Sequence, residues 1–206
     1  MLALFLSAFV TLFVVIDPPG CAPIFAGLTT AADAQHRRAM AIRSTAVAAA
    51  ILLFFALVGE ALLGTLGISL HAFRIAGGIM LFLIALEMVF EKRTQRRENR
   101  AEEIRRSPAH EDISIFPMAI PMIAGPGSIA TVMLLVARSD GPLQTLALLA
   151  ALAAVLLLTL ISLLAAGALM RVLGPRIEAM ITRVLGVILA ALATQFVIDG
   201  VKASFA

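Results

Sequence analysis

Six apolar runs of membrane-crossing length constrain this chain more than any other feature. They fall at about Leu2–Leu28, Ile42–Leu63, Ala72–Phe90, Ser114–Ala137, Leu143–Met170 and Arg183–Val201. A helix rises about 1.5 Å per residue, so roughly 20 apolar residues cross a hydrocarbon core of about 30 Å. Within 206 residues, 61% of them apolar and 14% charged, these runs leave no room for a separate soluble domain. A water-soluble fold of this mass could not hide so much apolar surface. The reading is an all-α membrane protein, a single membrane domain over residues 1–206.

The few charges are sorted. Arg37, Arg38 and Arg43 follow span one; Lys92, Arg93, Arg96, Arg97, Arg100, Arg105 and Arg106 follow span three; Arg171, Arg176 and Arg183 follow span five. Those connections share one side and carry 13 of the 16 cations, against Arg74, Arg138 and Lys202 on the other. Lys and Arg concentrate in cytoplasmic loops, so both termini are expected outside, on the periplasmic face in a bacterium. The net charge of +3 is then a signature of topology, and nucleic acid is not an expected partner. One cysteine, Cys21, excludes an intrachain disulfide framework or a Cys-rich metal site. No cation precedes the first apolar run and Pro18-Pro19 follow Asp17 within it, unlike a cleaved signal peptide. The absence of Trp and Tyr leaves any interfacial aromatic belt to Phe. His36, His71 and His110 lie in loops or at span ends and read as ordinary polar positions.

Two short matches point to an internal repeat. Pro19-Gly20 aligns with Pro126-Gly127 at an offset of 107, and Arg74-Ile75-Ala76-Gly77 aligns with Arg183-Val184-Leu185-Gly186 at 109. A repeat of about 107 residues holds three spans, and an odd number of spans inverts the second copy. Residues 1–90 form the first three-helix repeat, 91–113 a charged cytoplasmic connector, and 114–206 the second, inverted repeat. Six of the nine prolines, Pro18, Pro19, Pro23, Pro117, Pro121 and Pro126, fall in spans one and four. Proline removes an amide donor and glycine loosens the backbone, so both spans are expected to break near the bilayer midplane. Unpaired backbone groups facing lipid are costly, and such breaks survive where they face protein or a wet cavity. The half-helices beyond them, starting near Cys21 and Ser128, aim amide ends at the break and favour anions.

Asp17 is the one charged side chain in the middle of a span. A carboxylate there costs roughly 2.5–3.5 kcal/mol and needs a reason to be present. It reads as the N-cap of the second half-helix with Pro18 at the first helical position, a role compatible with binding a cation, a substrate ammonium or a proton. Its partner position, Ala124, has no carboxylate. The substrate-binding set is therefore Asp17, Pro18, Pro19 and Gly20 with Gly125, Pro126, Gly127, Ser128 and Thr131. Glu60, near the outer end of span two, is expected to meet Arg74; Asp199 has Arg138 and Lys202 within its neighbourhood. Thr194 and Gln195 are further cavity-facing candidates. Gly77, Gly78, Gly186, Ala190 and Ala191 read as sites of close helix contact.

Asp17-Pro18-Pro19-Gly20 with Pro23-Ile24-Phe25, and the long segment from Pro117 through Pro121 and Gly125-Pro126-Gly127-Ser128 to Thr131, resemble the first- and fourth-span motifs of the MarC family of integral membrane proteins. The resemblance covers essentially the whole chain. It departs at Pro19, where many members carry a non-proline residue. It implies a bacterial inner-membrane, transporter-like protein, similar in plan to the LysE-type (lysine-exporter) group, and some relatives are described as neutral amino-acid transporters. The expected function is secondary transport of a small solute by alternating access at the two breaks. The implied partners are that solute and the lipid bilayer, with no cofactor beyond coupling to a proton or Na+ at Asp17. The alternative is a non-transporting membrane assembly or stress-related protein. An intramembrane enzyme is not expected: there is no second acid at depth, no His-Glu-x-x-His cluster and no buried His beside a Ser.

Overall fold

A computed structural model describes residues 1–30, 32–90, 92, 99, 102 and 112–205. Among them every regular element is helical: α1 (Leu2–Ile16), α2 (Pro18–Leu28), α3 (Ala34–Thr65), α4 (Leu70–Val89), α5 (Ser114–Ile123), α6 (Pro126–Val136), α7 (Pro142–Leu164) and α8 (Ala166–Ser204). Five segments are long and apolar enough to cross a membrane: Leu2–Leu28, Ala34–Thr65, Leu70–Val89, Pro142–Leu164 and Ala179–Ser204. The pair α5–α6, bent by 53° at its break, supplies a sixth when taken as one span.

Two helix limits differ from the sequence reading, for one reason. The apolar run starts span two at Ile42 and leaves Arg37 and Arg38 in a loop. The helix instead begins at Ala34, because the Asp33 carboxylate accepts the His36 amide at 2.7 Å and caps it. Arginine is a good helix former, so the cations that bound the apolar run do not end the helix. Likewise the fifth apolar run reaches Met170 and predicts a loop beyond it. The chain instead bends at Ala165, and its backbone is helical again from Ala166 through Ser204. Of the connector, only residues 92, 99, 102, 112 and 113 are described, so its expected solvated and partly helical character lies outside the described residues.

The helices pack in a reciprocal pattern. Helices α1 and α2 lie against α7, while α5 and α6 lie against α3; α2 meets α8 and α6 meets α4. Helix α4 and the second half of α8 run antiparallel in the most extensive contact, and glycines make it possible. A Cβ on Gly78 would sit 2.9 Å from the Ala193 carbonyl and 2.7 Å from Val197. A Cβ on Gly186 would sit 3.1 Å from the Ala85 carbonyl and 3.1 Å from Val89. Adding 108 to Gly78, Ala85 and Val89 gives Gly186, Ala193 and Val197, so each helix offers the other the same surface. Without a hydrophobic force between helices in lipid, such close backbone approach is a main source of cohesion. Gly77 serves similarly under Leu134, and Ala190 packs in the same core, whereas Ala191 is exposed.

Two buried clusters flank the first break. One joins α1, α2, α3, α5 and α7 through Leu12, Ile16, Phe25, Leu52, Met118, Ile123 and Leu152. The other joins α1, α4, α6 and α8 through Val14, Val15, Leu81, Leu134 and Leu189. Leu57, Leu83, Leu146 and Val187 are exposed on the outside, the arrangement lipid contact requires.

Candidate functional site

The first interruption is a single residue. Asp17 takes the left-handed conformation (φ 60°, ψ 64°), which Asp tolerates better than most side chains. Its amide donates to the Phe13 carbonyl at 2.9 Å and closes α1; its own carbonyl accepts the Cys21 amide at 3.1 Å and opens α2. Its carboxylate accepts the Gly20 amide at 3.1 Å, an N-cap bond, with Pro18 at the first helical position. Pro18 and Pro19 lack the amide hydrogens that a continuous helix would give the carbonyls of Val14 and Val15. Gly20 is dictated by contact: a Cβ there would lie 2.2 Å from Asp17 Oδ2. The two helices otherwise run on as one span, Leu2–Leu28.

The second interruption is longer. In α5 the Met118 and Ala124 amides reach back five residues, to Ile113 and Ala119. Phe116 and Ile120, each preceding a proline, are extended (φ −125°), as steric contact with the proline ring demands, and both proline bonds are cis. Gly125 then serves as N-cap of α6 with Pro126 at the first helical position. A Cβ on Gly125 would lie 2.4 Å from the Pro121 carbonyl, so no other residue fits. Unlike α2, α6 has no side-chain cap.

Local geometry fixes where each half-helix starts. Asp17 and Gly125 are the matching caps, and Pro18 and Pro126 the matching first residues, 108 apart. Each following half-helix has 11 residues. The half-helices start at Pro18 and Pro126 rather than near Cys21 and Ser128. Asp17 and Gly125 are each the N-cap of the half-helix that follows, whereas the sequence reading pairs Asp17 with Ala124.

The breaks are close. A Cβ on Gly127 would come within 3.7 Å of Val15 in the last turn of α1, and within 2.5 Å of Ile84. Asp17, Ser128 and Thr131 are 1%, 3% and 0% exposed, so the site is closed to solvent in this conformation. Pro18, Gly20, Gly125 and Gly127 are buried too; Pro19 is half-buried and Pro126 exposed. The Thr131 hydroxyl donates to the Gly127 carbonyl at 2.7 Å. The site thus offers a carboxylate at one helix start and uncapped amides with a hydroxyl at the other. Among the described residues no group of His, Cys, Asp or Glu could hold a metal.

Away from the breaks, Glu60 is exposed and, among the described residues, unpaired with Arg74. Arg74 sits instead with Arg138, Asp199 and Lys202 around one pocket. Arg138 pairs with Asp199, whose other oxygen accepts the Gln195 amide at 2.7 Å. Thr194 turns its hydroxyl to its own helix at Ala190. The sequence reading places Arg138 and Lys202 near Asp199 but gives Arg74 to Glu60, and so misses that all three cations share this pocket.

Apolar helices packed through glycine contacts, with two spans interrupted by proline at capped half-helix starts, define a polytopic α-helical membrane protein. The family model for the MarC family integral membrane protein matches residues 2–205, and the chain belongs to that family. Its relatives include the UPF0056 membrane protein of Aquifex aeolicus, 36% identical over 97% of this chain and 92% of that one. UPF0056 membrane protein YvbG of Bacillus subtilis is 35% identical over 100% and 97%. UPF0056 inner membrane protein YhgN of Escherichia coli is 34% identical over 96% and 95%. No solved structure matches the chain.

Proposed function

We propose that this protein is a secondary transporter of a small solute, with neutral amino acids as the favoured class, working by alternating access at the two interrupted helices. The observation that carries this reading is the chemical asymmetry of the paired breaks. Asp17 suits a substrate ammonium, and the uncapped start of α6 with Ser128 suits a carboxylate. Together they complement a zwitterion. The closed geometry fits an occluded state from which either side opens.

The architecture we propose is two inverted three-helix repeats, residues 1–90 and 114–206, joined by a cytoplasmic connector, 91–113. Supporting it are the common offset of 108 at the breaks and at the α4–α8 glycines, and the antiparallel, self-matching contact of those helices. Both termini are assigned to the periplasmic side of the inner membrane. The charge asymmetry supports that side, and the Escherichia coli relative is named an inner membrane protein.

Flux of labelled neutral amino acids into proteoliposomes tests the function, with and without imposed proton and Na+ gradients. The reading expects saturable flux that Asp17→Asn uncouples from the gradient. Absence of flux across the neutral amino-acid panel, from protein shown to be folded, overturns it; equal gradient dependence in Asp17→Asn removes the coupling role.

A further inference from the structure

Three segments bring their cations to one open cavity of about 610 Å³, whose lining includes none of the residues at the two breaks. Arg74 comes from α4, Arg138 from the turn after α6, and Lys202 from the last turn of α8; Asp140 and Asp199 also line it. One pair is already committed. Arg138 Nη2 donates to Asp199 at 2.5 Å, its guanidinium lies 4.7 Å from the Phe196 ring centre, and Gln195 occupies the second Asp199 oxygen. Arg74 is left over. Its Nε is buried and has no hydrogen-bond partner, and its charge is opposed by Arg138 and only partly relieved by Asp199. Lys202 is exposed at the rim, as is Asp140.

A buried guanidinium nitrogen without an acceptor is costly, and two neighbouring guanidinium groups add repulsion. A ligand with several acceptor oxygens on one centre removes both penalties, because the planar guanidinium fork matches such a group and a lysine adds a point charge. The volume falls in the range of about 300–1,000 Å³ typical of small-molecule sites, well above that of a bare ion.

We propose that this pocket is a binding site for a phosphate-type oxyanion, held by Arg74 and Lys202 with the Arg138–Asp199 pair as its wall. The group is either a free phosphate compound or the headgroup of an anionic lipid whose chains lie along α4 and α8. This site is independent of the transport reading.

Calorimetric titration of the purified protein in neutral detergent tests it, with inorganic phosphate in one arm and short-chain phosphatidylglycerol in the other. Saturable binding of at least one probe is expected, weakened about tenfold by Arg74→Gln and by Lys202→Gln, and unchanged by Arg37→Gln, outside the pocket. Binding of phosphate identifies a soluble ligand; binding of phosphatidylglycerol alone identifies a lipid. Lys202 is exposed near the chain end, so its variant folds even if the Arg74 variant does not. No saturable binding in either arm, or wild-type affinity in Lys202→Gln, overturns the proposal.

Discussion

Replacing Gly20 with alanine sets the cap at Asp17 against the packing of α2. The added Cβ would lie 2.2 Å from Oδ2, 2.7 Å from Cγ and 2.9 Å from Oδ1 of Asp17, all in one buried carboxylate. The carboxylate must leave, and the Gly20 amide loses its acceptor. Loss of an N-cap costs about 0.5–2 kcal/mol and overpacking about 1–3 kcal/mol, so Gly20→Ala is expected to destabilise by about 2–4 kcal/mol. The informative comparison is the same substitution in an Asp17→Ala background. There the obstructing atoms are gone and the cap is already lost, while alanine is a better helix former than glycine by about 1 kcal/mol. Gly20→Ala should then be neutral or stabilising, a coupling of about 3 kcal/mol between the two sites. Denaturant titration of the purified protein, followed by far-UV circular dichroism, gives all four corners of the cycle. A Gly20→Ala cost that is the same in both backgrounds would refute the account of the break. Asp17→Asn belongs in the set as a control, since Asn caps well and tolerates the left-handed conformation; its cost should stay near about 0.5–1 kcal/mol.

Gly125→Ala meets a backbone carbonyl at 2.4 Å, so it should cost about 3 kcal/mol, whereas Gly27→Ala, with nothing within 4 Å, should stabilise α2 by up to about 1 kcal/mol in the same titration. Gly78→Ala and Gly186→Ala should each cost about 1–3 kcal/mol and by similar amounts, because their surroundings correspond; unfolding that is sensitive to only one would break the correspondence. Hydrogen bonds from Ser114, assisted by Arg43, hold the Asp112 carboxyl below its usual range. That contribution is full above the unfolded carboxylate value of about 3.9 and is lost as pH falls through the lower folded value. Stability measured between pH 5 and pH 3 should therefore decline less steeply in Ser114→Ala than in wild type.

Much of the geometry of the first break was legible because its signals are local. Pro18 after Asp17 is a helix start that needs no tertiary information, and the structure has Asp17 as that cap. The glycines at 78 and 186 were legible as contact sites because little else than closeness explains small residues there in an apolar helix. Register was not legible at single-residue precision: the Pro-Gly pairs align at 107 and the Arg-Gly segments at 109, while the caps and the glycine contacts fall at 108. Hydropathy located the apolar runs and not the helix ends, which is why α3 begins eight residues before the apolar run at Ile42. The meeting of Arg74, Arg138 and Lys202 depends on how the start of α4 comes together with the ends of α6 and α8, which no linear spacing encodes.

The central claim is that a path for solute opens at the interrupted helices from either side. Cys21, the chain's single cysteine, is fully buried in the first turn of α2, with its sulfur 3.6 Å from the Ile16 carbonyl. Its thiol reports opening whatever solute is carried. The decisive measurement is the rate at which a small, membrane-impermeant methanethiosulfonate reagent labels Cys21 in right-side-out and in inside-out vesicles. The account predicts slow labelling from both faces, with the two rates moved in opposite directions by a transported amino acid. Labelling from neither face, or from one face alone under every condition, would contradict it.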